Sequence, residues 1–169
     1  LRQVHIPHYR ALILRKTYPQ LSELIDRSRA LYQPAFPKAK YNSTGHFWEF
    51  PSGAKIYFGS MQHPSDKINY QGKRYDFIAF DELTHFSEYQ FFYMLSRNRT
   101  DSGVKPYVRA TCNPDADSWV AEFISWWINQ ETGYPILERS GVIRWMVRLN
   151  EVVTWFDSRE EAVQKGPVL

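Results

Sequence analysis

The sequence predicts an α/β fold of three layers, a largely parallel sheet between helices with one antiparallel β-hairpin excursion. Three apolar runs predict it. Tyr75-Asp76-Phe77-Ile78-Ala79-Phe80-Asp81-Glu82 is continuously apolar over Phe77 to Phe80, the mark of a strand buried on both faces, and it runs straight into two adjacent carboxylates. Ala11-Leu12-Ile13-Leu14 is a second such run, flanked by Arg10 and by Arg15-Lys16. Val108-Arg109-Ala110-Thr111-Cys112 is a third and reads as a central strand, ended sharply by Asn113-Pro114 because a residue before proline avoids helical geometry.

Pro19 opens a helical pattern in which Leu21, Leu24, Ile25, Ser28 and Leu31 share a face, and Pro34 and Pro37 stop it. Phe47-Trp48-Glu49-Phe50 and Lys55-Ile56-Tyr57-Phe58 flank Pro51-Ser52-Gly53-Ala54, which reads as two strands and a tight turn. Residues 59–73 are polar and broken by Pro64 and Gly72, so they are assigned to a loop. Ser87-Glu88-Tyr89-Gln90 matches a capping box and predicts a helix through Leu95. Asp117 or Ser118 is placed to cap a helix with Trp119, Phe123, Trp126 and Trp127 on one aromatic face. Residues 142–149 and 152–155 read as strands, and the charged tail from Asp157 as frayed.

A chain of 169 residues, 43% of them hydrophobic, is long enough for one domain with a real core. The net charge of +3 suits an anionic partner without requiring one. A single cysteine, Cys112, excludes a disulfide framework. No secretory signal and no membrane-spanning apolar stretch is visible.

Paired acids at the C-terminal end of a buried parallel strand sit where open α/β sheets bind ligands. Asp81-Glu82 therefore reads as a Walker B element, the first acid holding Mg²⁺ through water and the second orienting and deprotonating the attacking water. The plain alternative is an acid pair that begins a polar loop. Two strands that both end in polar groups match neighbouring strands of an additional-strand P-loop NTPase, with Thr111 and Asn113 able to sense a γ-phosphate; ordinary turn chemistry at Asn113-Pro114 is the alternative. Arg15 stands either near the nucleotide or as a solvated strand-end charge. Arg97 and Arg99 either contact phosphate or complement a helix dipole. His5 and His8 lack the partners of a metal site, and Trp126-Trp127 suits core packing better than base stacking.

In their order and spacing, residues 11–17, 50–59, 75–86, Leu95-Ser96-Arg97-Asn98-Arg99 and Ala110-Thr111-Cys112-Asn113-Pro114 with Trp119-Val120 make the chain resemble the ATPase domain of a tailed-bacteriophage terminase large subunit. The resemblance runs over roughly residues 11–127. It implies a motor that packages viral double-stranded DNA, with ATP and Mg²⁺ as cofactors, Asp81 as the Mg²⁺ acid, Glu82 as the catalytic carboxylate, and Thr111 and Asn113 in the coupling motif. It also implies a portal protein, a small terminase subunit and neighbouring large subunits in a ring as partners, no membrane, and the host cytoplasm as location. Lys67 and Arg74 are then positions for an arginine-finger-like cation.

The family's Walker A loop is missing, since G-x-x-x-x-G-K followed by Ser or Thr occurs nowhere in the chain. The expectation is a partial ATPase domain over residues 1–169, incomplete at its N-terminus, with a core over 11–128 and with residues 134–169 leading toward an absent nuclease domain. By itself such a piece is expected to be inactive. A helicase-like nucleic-acid-dependent ATPase and a non-catalytic module docking on a portal or small terminase subunit are the competing readings.

Overall fold

The three apolar runs become parallel strands in the computed structural model of the chain, which describes residues 2–113 and 115–168. The chain divides into two compact units, Leu1–Ala121 and Glu122–Leu169.

In the first unit, β1 (Arg10–Arg15), β2 (Lys40–Asn42), β3 (Phe47–Glu49), β4 (Lys55–Ser60), β5 (Phe77–Phe80) and β6 (Tyr107–Ala110) form one sheet in the order β2-β3-β4-β1-β5-β6. The pairs β4–β1, β1–β5 and β5–β6 are parallel, and β2–β3 and β3–β4 are antiparallel. This is the expected parallel sheet with its hairpin excursion. Gly53 has a positive φ of 86° in the hairpin turn, a conformation that side chains with a Cβ rarely adopt. The short strand β2 carries no periodic signal of its own and is held by pairing with β3.

The register sorts the side chains by face. Ala11, Ile56 and Phe58 meet Leu21 and Ile25 of α1 (Tyr18–Ala35), together with Trp48 and Phe50, in one core. Trp48 Nε1 donates to Ser28 Oγ at 2.8 Å, which explains a buried serine on the helix's inner face. Leu31, expected on that face, is 58% exposed, and Pro34 falls inside the last turn instead of stopping it. On the other face Phe80 meets Phe86 and Phe91, the latter from α2 (Glu88–Leu95), with ring centroids 5.2 and 5.4 Å apart. The capping box forms as expected: Ser87 Oγ accepts from Gln90 N, and Gln90 Oε1 accepts from Ser87 N.

Three expectations are corrected in these regions. The loop before β5 contains a seven-residue 3-10 helix, Pro64–Tyr70, whose Tyr70 hydroxyl donates to Ser60 O at 2.9 Å and lies against Gly59, where a Cβ would collide with it. The third strand stops at Ala110, so Thr111, Cys112 and Asn113 follow it as exposed residues. It pairs with β5 as expected but forms the sheet edge rather than its centre. Pro114, read as its terminator, lies outside the described residues.

The aromatic helix also differs. Its helical part, α3 (Trp119–Phe123), lasts five residues, and a 3-10 turn at Ser125–Trp127 follows. In the second unit Trp127 packs edge-on to Trp155, and Trp126 is held between the guanidinium groups of Arg139 and Arg144 at 4.7 and 4.6 Å from its ring. That packing needs a turn at Ile124 rather than a continued helix. The strands β7 (Trp145–Leu149) and β8 (Val152–Phe156) pair antiparallel. The tail expected to fray forms α4 (Arg159–Lys165), capped by Ser158 Oγ, which accepts from Glu161 N. Glu160 and Glu161 lie in its first turn and Lys165 in its last, where each complements the helix dipole.

Candidate active site at the ends of three parallel strands

Parallel strands put their C-terminal ends on one side, so β1, β5 and β6 deliver Arg15, then Asp81 and Glu82, then Thr111 and Asn113 to a common edge. Backbone bonds carry the alignment past the strand ends. Asp81 N donates to Leu14 O, Thr111 N to Phe80 O and Leu83 N to Thr111 O, at 2.8–2.9 Å. The five candidate residues are thereby brought together on rigid supports, although 66 residues separate Arg15 from Asp81.

Both oxygens of Asp81 are engaged. Arg15 Nε and Nη2 approach Oδ2 at 2.5 Å, and Thr111 Oγ1 donates to Oδ1 at 2.7 Å. Arg15 is thus neither solvated at a strand end nor free, and its side chain keeps only 20% exposure against 26% for that of Asp81. Glu82 lies beside Asn113, whose Nδ2 stands 3.4 and 3.5 Å from its two carboxylate oxygens, at the outer limit of a hydrogen bond. The Glu82 backbone is left-handed, with φ 61° and ψ 62°, a conformation that costs a non-glycine residue about 1–3 kcal/mol and that tends to mark functional positions. It turns the chain into the 3-10 turn Leu83–His85.

Oxygen donors of this kind suit Mg²⁺, which takes one or two carboxylates and leaves the rest of its shell to water and substrate phosphates. Among the described residues no group of three or more His, Cys, Asp or Glu gathers. His5 and His8 form no such group either.

The sequence assigns Lys16 no role of its own, yet its side chain ties the site to α2. Its Nζ donates to Gln90 Oε1 at 2.9 Å and lies 5.8 Å from the Phe86 ring. Partial burial lowers the Lys16 pKa, against a smaller opposing pull from Asp66. Gln90 is fully buried and also donates to Met61 O, so one side chain links strand end, helix cap and loop. The sequence signal for this link is the capping box, which marks Gln90 as a cap and nothing more.

Residues 1–167 match the family model described as "Terminase large subunit, T4likevirus-type, N-terminal". Among solved structures the fold is similar to the crystal structure of the HK97 bacteriophage large terminase, with a TM-score of 0.53 and 8% identity, over 71% of this chain and 26% of that one. The chain thus spans about a quarter of the length of that terminase. No curated protein matches.

Proposed function

Because the chain belongs to the family of T4-like terminase large subunit N-terminal regions, we propose that it forms the catalytic-acid half of an ATP-hydrolysing motor that moves double-stranded DNA. The observation that carries this reading is the convergence of Asp81, Glu82, Thr111 and Asn113 at the C-terminal ends of adjacent parallel strands. Asp81 would hold a Mg²⁺ ion bound with ATP, and the ion would neutralise charge developing on the phosphates. Glu82 accepts the proton of the attacking water, with Asn113 Nδ2 beside its carboxylate. Thr111 orients Asp81 by donating to Oδ1, and Asn113 reads the state of Glu82 through its amide, which gives the segment after β6 a way to register hydrolysis. Arg15 holds the Asp81 carboxylate in place from the neighbouring strand.

No G-x-x-x-x-G-K followed by Ser or Thr occurs in these 169 residues. The test therefore fuses the chain behind a glycine-rich phosphate-binding segment of the same family and measures ATP turnover. Glu82→Gln is expected to lower turnover by about 10²–10⁴-fold, the span of general base catalysis. Unchanged turnover in the variant would remove Glu82 from the role.

A further inference from the structure

The outer side of α2 and the segment before β5 carry a group of cations that neither the sheet nor the acid site uses. Tyr75 N donates to Arg97 O and Arg99 N donates to Tyr75 O, both at 3.0 Å, which sets Lys73 and Arg74 alongside Arg97 and Arg99. Lys67 reaches the first turns of α2 from the 3-10 helix: its Nζ donates to the Tyr89 hydroxyl and lies 4.9 and 5.8 Å from the Tyr89 and Tyr93 rings. The guanidinium of Arg97 lies 5.3 Å from the Tyr93 ring. Tyr89, Tyr93 and Arg97 are four residues apart along and just past α2, so they form one row on its outer side. Lys67 and Arg97 alternate with phenol rings along that row.

Arg74 is paired with Asp101. Among the described residues Lys67, Lys73, Arg97 and Arg99 form no ion pair. Aromatic faces hold a cation in place without cancelling its charge, so the row presents oriented, unneutralised positive groups. Grouping four such charges raises self-repulsion and does nothing for the core. The row is also the outer side of a helix, with Tyr89 41% exposed. A convex strip fits an extended polyanion better than a small anion, which is bound in concave sites.

We propose that Lys67, Tyr89, Tyr93 and Arg97, flanked by Lys73 and Arg99, form a docking surface for the phosphate backbone of duplex nucleic acid. The surface rests on the motor reading and deepens it, because it places the polymer along the outer side of α2. Binding of this type is directed at phosphate and is indifferent to sequence.

The test is fluorescence anisotropy of a labelled DNA duplex of mixed sequence with the 169-residue chain, over a range of salt concentrations and without nucleotide. Combined Lys67→Gln and Arg97→Gln should weaken binding and flatten the plot of log affinity against log salt by about 1.8, at ~0.9 for each phosphate no longer neutralised. Lys67→Gln alone, an exposed substitution that leaves the helix row intact, should produce about half of that change. Arg29→Gln, which removes a cation already paired with Asp26, should leave the slope as it was. A slope unchanged in the double variant, or a wild-type chain that binds no duplex, overturns the proposal. Since nucleotide is absent from the assay, its outcome is independent of whether Glu82 supports hydrolysis.

Discussion

The two carboxylates at the two ends of β5, Asp76 and Asp81, have the same chemistry and opposite surroundings. Asp76 is 1% exposed; its Oδ2 accepts from Arg10 N at 2.8 Å and its Oδ1 from the Ser102 hydroxyl at 2.7 Å. Asn98 closes the same end by donating from Nδ2 to the carbonyls of Tyr75, Asp76 and Tyr107. This end is tied largely through backbone groups, so the Asp76 carboxylate belongs to the fold. Asp81 is partly exposed, and its partners are the side chains of Arg15 and Thr111, which can swing away when an ion or ligand competes. A buried acid tied to backbone stabilises one state; an accessible acid held by side chains is available to change partners. Position along a parallel strand, more than residue type, thus separates a buried acid from an accessible one.

Removing the buried acid should have the largest effect on folding. Asp76→Ala leaves the Arg10 N–H and the Ser102 hydroxyl without their acceptor and is expected to cost about 2–4 kcal/mol, read from urea unfolding midpoints at constant slope. A cost near zero would erase the contrast between the two ends.

A smaller effect concerns pH. Burial raises the pKa values of Tyr9, Tyr70 and Tyr75 well above 10, for Tyr9 with help from Tyr107 and for Tyr75 from Tyr57. The fold then retains protons that the unfolded chain releases near pH 10, so this contribution is complete below pH 10 and is lost as pH rises toward the raised values. Lys16 acts in the opposite sense: its lowered pKa means that its own contribution improves with pH up to its unfolded value of 10.5. Stability should therefore fall above pH 10, and Tyr75→Phe should make the fall less steep. A profile that Tyr75→Phe leaves unchanged would place the alkaline transition elsewhere.

Much of this contrast is legible in the residues. Phe77-Ile78-Ala79-Phe80 declares a buried strand, and the acid pair after it declares which end to watch. The companion polar groups at Thr111 and Asn113 are legible for the same reason. The side chain on each oxygen is not: Arg15 has two plausible settings until strand order puts β1 directly beside β5. The left-handed turn at Glu82 carries no glycine or asparagine to announce it. Short elements escape because their stability comes from neighbours: β2 rests on β3, and the 3-10 helix at Pro64–Tyr70 is anchored by the Tyr70 hydroxyl on Ser60. Trp126 and Trp127 keep helical spacing, yet stacking on Arg139, Arg144 and Trp155 decides their backbone. Local period predicts a helix only where no tertiary packing outweighs it.

The most decisive experiment compares Asp81→Asn and Asp76→Ala side by side, each for unfolding free energy and for ATP turnover in the fusion carrying a phosphate-binding segment, at a temperature where both are folded. Asp81→Asn should change stability by no more than about 1 kcal/mol, as for a partly exposed ion pair, while turnover falls by at least about 10²-fold. Asp76→Ala should lose stability and keep turnover per folded molecule. The reverse result, turnover surviving at Asp81→Asn and vanishing from folded Asp76→Ala, would contradict the assignment of the hydrolytic site to the C-terminal end of β5.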